Sequence, residues 1–170
     1  MPDWLWPPPP DPLPDPVDEV HVWSIPIGSE ARPRDDDLSL LDDRERERAG
    51  RFRIEHGRRD YVASHSATRR ILARYLDAKP RALRFESGER GKPHLVGAPG
   101  HRSLHFNLSH SADAALLAVT RIGPLGVDVE AVRTLPDADD IAERFFARGE
   151  RDALRRIDAA ERAEIGRAHV

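Results

Sequence analysis

Residues 104–130 read LHFNLSHSADAALLAVTRIGPLGVDVE, which is three short β-prone runs separated by turn residues. Leu104 to Leu108, Ala114 to Thr120 and Gly126 to Glu130 are expected as strands, and Gly123-Pro124 stiffens the last connection. Upstream, Leu83 to Glu86 reads as another strand, joined through turns built on Gly88, Gly91, Gly97, Pro99 and Gly100. Two helices are expected before it. The first covers about Ser39 to Glu55, with Ser39 as cap and Leu38, Leu41 and Phe52 as apolar anchors. The second covers about Arg58 to Leu76, after a break at Gly57, and puts Tyr61, Val62, Ile71, Leu72, Tyr75 and Leu76 on one face. His21 to Ile25 is the first strand. A further helix starts near Asp139 and carries Ile141, Phe145 and Phe146, and another follows Gly149 through Leu154 and Ile157. Helices grouped ahead of a run of strands give an α+β fold class.

Composition narrows the function. The 170 residues include no cysteine, so any chemistry rests on carboxylates, histidines, hydroxyls or bound metal. No run of eighteen apolar residues occurs, and the N-terminus lacks the blocks of a signal peptide, which reads as a cytosolic protein without membrane contact. Twenty-seven basic residues face 30 acidic ones, for a net charge of -3, and this balance speaks against a nucleic-acid partner. Residues 1–16 are dominated by proline and are expected to be a disordered tail.

Within Gly126 to Glu130, alternation points Asp128 and Glu130 to one face and Val127 and Val129 to the core. Two adjacent carboxylates need a cation between them, and oxygen ligands are what Mg²⁺ prefers. A half-buried strand with one polar face would explain D-x-E alone, so its neighbours carry the weight. Ser109 and His110 offer phosphate donors at the end of Phe106-Asn107-Leu108. Gly91-Lys92-Pro93 presents a flexible cation on a stiffened turn, without the spacing of a P-loop. Glu150, after Arg144-Phe145-Phe146, can serve as base, metal ligand or helix-start acid. Most arginines between Arg44 and Arg70 read as a solvated face, although Arg48, Arg58 and Arg59 can bind phosphate. The histidines show no zinc spacing.

Taken in order, G-K-P, F-N-L-S-H-S, G-V-D-V-E and R-F-F-x-x-x-E resemble the signature series of the 4′-phosphopantetheinyl transferases of the surfactin-synthetase (Sfp-like) type. The resemblance runs from about Val20 to Arg162. It implies a pseudo-twofold pair of α+β halves, with Val17 to Arg121 as the N-terminal half and 122–170 beginning the C-terminal half. It also implies a monomer that moves phosphopantetheine from coenzyme A to a serine of an acyl, peptidyl or aryl carrier protein. The products would be the holo-carrier and adenosine 3′,5′-bisphosphate, with secondary metabolism as the setting. By the same resemblance Asp128 and Glu130 match the Mg²⁺ pair, and Lys92, Ser109, His110 and Arg48 match coenzyme contacts. Glu150 matches the glutamate assigned to metal or to the serine proton.

The sequence departs from that series after residue 150. No tryptophan follows Trp23 and no lysine follows Lys92, so the W-x-x-K-E motif of such enzymes is missing, and Glu164 has unlike neighbours. The expectation is a truncated second half and little transferase activity from these residues. The alternative class is a non-catalytic module that binds a carrier protein or coenzyme A. A nucleic-acid module, prompted by the arginines, ranks below it.

Overall fold

A computed structural model describes residues 8–28, 34–88, 91–97, 103–131 and 138–157. Expectations on residues 1–7, on Pro99 and Gly100 and on the segment from 158 onward, Glu164 included, lie outside the described residues. The chain divides into two compact units, Met1–Val129 and Glu130–Val170.

In the first unit the elements are β1 (His21–Pro26), α1 (Asp37–Leu40), α2 (Asp43–Gly50), α3 (Glu55–Tyr75), a 3₁₀ turn (Pro80–Ala82), β2 (Arg84–Ser87), β3 (Pro93–Val96), β4 (His105–Ser111) and β5 (Ala114–Thr120). The second unit holds α4 (Ala138–Phe145) and α5 (Arg148–Arg155). This is a mixed α+β fold with antiparallel sheets, as expected.

β5 is the central strand of a three-stranded sheet ordered β1-β5-β4. Trp23 and Leu108 both face Leu117 in the register, and Ile25 and His110 both face Ala115. Central position explains why β5 is apolar along most of its length, with Ala115, Leu117, Ala118 and Val119 buried. Thr120, also buried, satisfies its hydroxyl by donating to the Glu19 carbonyl at 2.7 Å. The core joins Ile25, Phe106, Leu117 and Val119 of this sheet to Leu72 of α3, Leu83 and Leu95. β2 and β3 form a separate hairpin, Arg84 opposite Val96. β3 is absent from the expectation because only Leu95 of its four residues is buried, which leaves no alternation to read.

Gly28 closes β1 against the β4–β5 turn. Its φ is +76°, and a Cβ there would lie 1.8 Å from Asp113 Oδ1, while the neighbouring Ile27 N–H donates to the Asp113 carbonyl at 2.9 Å. No other residue fits that conformation and that approach.

The expected helix from 39 to 55 is two helices. Leu41 is extended (ψ 145°) and fully buried, so the chain leaves α1 to insert it into the small cluster with Ala49 and Tyr61. It restarts at Asp42, which accepts from Glu45 N–H while Glu45 accepts from Asp42 N–H, both at 2.9 Å. Ser39 is therefore inside α1, bonded to the Asp36 carbonyl, and does not cap. Gly57 likewise lies within α3; the break falls earlier, at extended Ile54, and Phe52 folds back over Gly57, 3.2 Å from where a Cβ would stand.

Gly126 to Glu130 is not a regular strand. Its amides are held by side chains of β4: Val127 N–H donates to Asn107 Oδ1 at 2.8 Å and Val129 N–H to Ser109 Oγ at 3.2 Å. Two-residue alternation survives, with Val127 and Val129 half-buried, short of the core position expected, and Asp128 and Glu130 exposed. The sequence reading has residues 1–16 as a disordered tail; its described part is placed, with Pro16 buried and its carbonyl accepting from Arg121 N–H at 2.8 Å.

Arg69 on α3 is fully buried and paired at every nitrogen. Nε donates to Glu45 at 2.7 Å, Nη2 to Asp42 at 2.9 Å, and Nη1 to the carbonyls of Pro80 and Leu83, both at 3.1 Å. Its plane also lies 4.8 Å from the Phe85 ring. Burial pushes the Glu45 carboxyl up, but hydrogen bonds from His65, Arg69 and the Asp42 amide, with the Arg69 charge, outweigh it and hold the pKa below its usual 4.5. Asp37 behaves alike: burial raises it, and bonds from Arg70, the Arg34 amide and Ser66 bring it below 3.8.

Arg69→Met is expected to cost about 3 to 5 kcal/mol in urea unfolding, because two carboxylates are left near the core without their cation. The depressed carboxyl pKa values set the sign with pH. Their stabilisation is present above the ordinary values of 3.8 and 4.5 and is lost as pH falls through the lower folded values. Unfolding midpoints measured from pH 7 to pH 3 should fall, and in Arg69→Met should fall less steeply.

Candidate active site

Ser109 and Asp128 meet on β4, while Lys92 reaches Leu125 at the start of the segment that runs beside the strand. Ser109 is on β4 itself, and its hydroxyl accepts from Val129 N–H and donates to Asp128 Oδ1 at 2.7 Å. This uses the donor and one acceptor site of the hydroxyl and orients the carboxylate. Lys92 lies in the turn between β2 and β3, where Gly91, at φ +73°, lets the chain reverse and Gly88 N–H closes on the Lys92 carbonyl at 2.9 Å. Lys92 Nζ is hydrogen-bonded to the Leu125 carbonyl, immediately before the Gly126–Glu130 segment. A flexible lysine on a hairpin turn is thereby tied to the segment that carries Asp128.

His110 is exposed on β4. Arg48 lies elsewhere, on α2, with its guanidinium 5.5 Å from the Tyr61 ring centroid. Tyr61 in turn stacks on His65, with ring centroids 4.0 Å apart. Burial, reinforced by the Glu45 charge and partly offset by Arg48, pushes the Tyr61 hydroxyl up to about 12. A cavity of about 200 Å³ is lined by Arg44, Arg48, Tyr61 and His65 on one side and by Gly91, Pro93 and Phe106 on the other. A larger one of about 630 Å³ is lined by Lys92, Pro93, His94, Leu104 and His105. The Gly91-Lys92-Pro93 turn borders both. A concave surface with an aromatic face and arginines suits a flat ring bearing anionic groups.

Glu130 and Glu150 belong to the second unit. Glu150 is at the third position of α5 and accepts from Ala147 N–H at 2.8 Å. This is the helix-start role among those open to it. Arg151 of the same helix donates to Glu143 of α4 at 2.5 Å. Among the described residues no group of three or more histidine, aspartate and glutamate side chains is gathered as a metal cage. The Asp128 carboxylate is an exposed hard-oxygen donor, which fits a cation that keeps most of its waters and takes one or two carboxylates.

Sequence reasoning did not single out Asn107, Tyr61 or His65 as part of this region. Asn107 was legible as the residue two before Ser109 on the same strand face, and Asp42-x-x-Glu45 as a capping box.

The N-terminal region of the 4′-phosphopantetheinyl transferases, as a family profile, matches residues 32–121. The chain belongs to the 4′-phosphopantetheinyl transferase family. It is similar to the 4′-phosphopantetheinyl transferase HetI of Nostoc sp. (strain PCC 7120), at 36% identity over 148 residues, covering 87% of this chain and 62% of the relative. A putative 4′-phosphopantetheinyl transferase of Synechocystis sp. is 32% identical over 127 residues, covering 75% and 51%. The 4′-phosphopantetheinyl transferase Sfp of Bacillus subtilis is 28% identical over 127 residues, covering 75% and 54%. The chain thus spans between about half and three-fifths of the length of these relatives.

Ser109→Ala is expected to free the Val129 amide and the Asp128 carboxylate at once. Hydrogen exchange at Val129 should accelerate while global stability drops by only about 1 kcal/mol, the usual net worth of one hydrogen bond. Unchanged exchange at Val129 would mean that the segment is held by other contacts.

Proposed function

We propose that this protein transfers the 4′-phosphopantetheine group of coenzyme A to a serine of an acyl or peptidyl carrier protein. The observation that carries the reading is the 2.7 Å bond between Ser109 and Asp128, on a segment whose start Lys92 also holds. It stands on family membership and on the resemblance of these residues to coenzyme and metal positions.

In this reading Arg48, Lys92, Ser109 and His110 bind the phosphates of coenzyme A. By the resemblance Asp128 and Glu130 would hold Mg²⁺, which would supply a Lewis acid that neutralises charge on the pyrophosphate oxygens. The carrier serine oxygen forms a bond to the β-phosphorus as the bond to the adenosine 3′,5′-bisphosphate oxygen breaks. The serine is a weak nucleophile at neutral pH, so its proton must pass to a carboxylate or an activated water, a role that the resemblance gives to Glu150. Lys92, a cation already seated beside the Asp128 segment, stabilises the charge that develops in transfer.

The finer readings are that the protein is of the Sfp-like type, with a pseudo-twofold pair of α+β halves whose first half is 17–121. A cytoplasmic monomer serving secondary metabolism is part of the same reading. No helix among the described residues is long and apolar enough to cross a membrane.

The test is incubation with coenzyme A, Mg²⁺ and an apo-carrier, read by the intact mass of the carrier. The expected result is one added phosphopantetheine arm, which would overturn the expectation of little transferase activity from these residues, and a loss on the order of 10²-fold in rate for Asp128→Ala. Mg²⁺-dependent coenzyme A binding by calorimetry, with no mass gain, would favour the binding-module reading instead.

A further inference from the structure

Residues 8–16 read PPPDPLPDP, and no part of the transferase reading uses them. In the structure Pro8, Pro9, Pro10, Leu13 and Pro14 form one wall of an apolar cavity of about 460 Å³. The opposite wall is made by Trp23 and its neighbours on β1 together with Tyr75 of α3.

The polar groups of that opposite wall bond to one another. Trp23 Nε1 donates to the Tyr75 hydroxyl at 2.9 Å, and the Tyr75 hydroxyl is 2.8 Å from His21 Nδ1. His21 Nε2 lies 2.7 Å from Glu19 Oε1, and because a carboxylate only accepts, the neutral ring carries its proton on Nε2. Nδ1 then accepts from the Tyr75 O–H. With these donors committed, the wall presents aromatic faces, Trp23 edge-on to Tyr75 at 6.2 Å.

Arg74 adds an outward donor beside it. Arg74 Nη2 donates to the Pro10 carbonyl at 3.1 Å and lies 3.5 Å from Asp11 Oδ1, with its guanidinium 5.8 Å from the Trp23 ring centroid. Aromatic faces flanked by a guanidinium donor match an extended proline-rich chain, which has carbonyls to satisfy but few amide donors and loses little entropy on binding. The occupant is loosely seated: Pro8, Pro9 and Pro10 are exposed, Leu13 is half-buried, and the cavity persists between segment and wall. Firm anchoring begins only at Asp15 and Pro16, which bond to Arg121.

We propose that Trp23, Tyr75 and Arg74 form a proline-recognition surface that residues 8–14 occupy in cis and that accepts, in exchange, a proline-rich acidic segment of another polypeptide.

The test uses the full chain with Trp4→Phe and Trp6→Phe, so that Trp23 is the remaining tryptophan. Acrylamide quenching of Trp23 is compared before and after loosening the segment with Pro9→Gly, Pro10→Gly and Asp11→Asn, and separately with Arg74→Ala. Far-UV circular dichroism confirms that α3 is intact. The quenching constant is expected to rise in both. Adding the peptide PPPDPLPDP should restore protection in the loosened chain, half-saturating at on the order of millimolar, the effective concentration a short tether provides. A peptide with serine for every proline should not restore it, and Arg74→Ala should abolish the restoration. Quenching that does not change on loosening, absence of saturable protection, or equal protection by the serine peptide each overturns the proposal.

Discussion

The arrangement of the first unit depends on keeping one guanidinium satisfied without water. Arg69 is 0% exposed, and an unpaired charge at that depth would be far more costly than any single apolar contact around it. Its fork reaches Glu45 and Asp42 on one side and the carbonyls of Pro80 and Leu83 on the other. The start of α2, the 3₁₀ turn and the entry to β2 are therefore positioned relative to α3 by one side chain. The capping box of α2 is part of the same network, since Asp42 and Glu45 both cap the helix and receive Arg69. A lysine could not reproduce this, because it offers a point charge and no rigid fork.

What that frame positions is a region assembled from loose pieces. Glu45 also meets His65, which stacks on Tyr61, under Arg48. The buried network thus continues outward into the aromatic and arginine wall of the smaller cavity. Across from it, the Gly91–Pro93 turn and the Gly126–Glu130 segment lack a full ladder of their own. Lys92 holds the carbonyl of Leu125, and Asn107 and Ser109 hold the amides of Val127 and Val129. Side-chain tethers of this kind leave the carboxylate of Asp128 exposed while fixing the backbone beneath it, which is what a phosphate and metal site needs.

Two of the deviations from the sequence reading share a cause. A helix from 39 to 55 is consistent with local propensity, but burying Leu41 gains more than one continuous helix, and Asp42 supplies a new start. Gly126 to Glu130 has the alternation of a strand and keeps it, yet β4 offers side-chain acceptors to its amides. In both cases distant groups overrule a local preference worth only tenths of a kcal/mol per residue.

The sequence by itself determined the α+β class, β1, β5, most of α3 and the family, because apolar period and short motifs are properties of neighbouring residues. It also singled out Lys92, Ser109 and Asp128 as candidates for phosphate and metal chemistry. Only the tertiary structure decided that Ser109 meets Asp128, that residues 8–14 lie beside Trp23 and Tyr75, and that Arg69, among the described arginines, is buried. The reason is physical: burial and hydrogen-bond satisfaction are set by which groups the folded chain brings together, and no window along the sequence contains both partners.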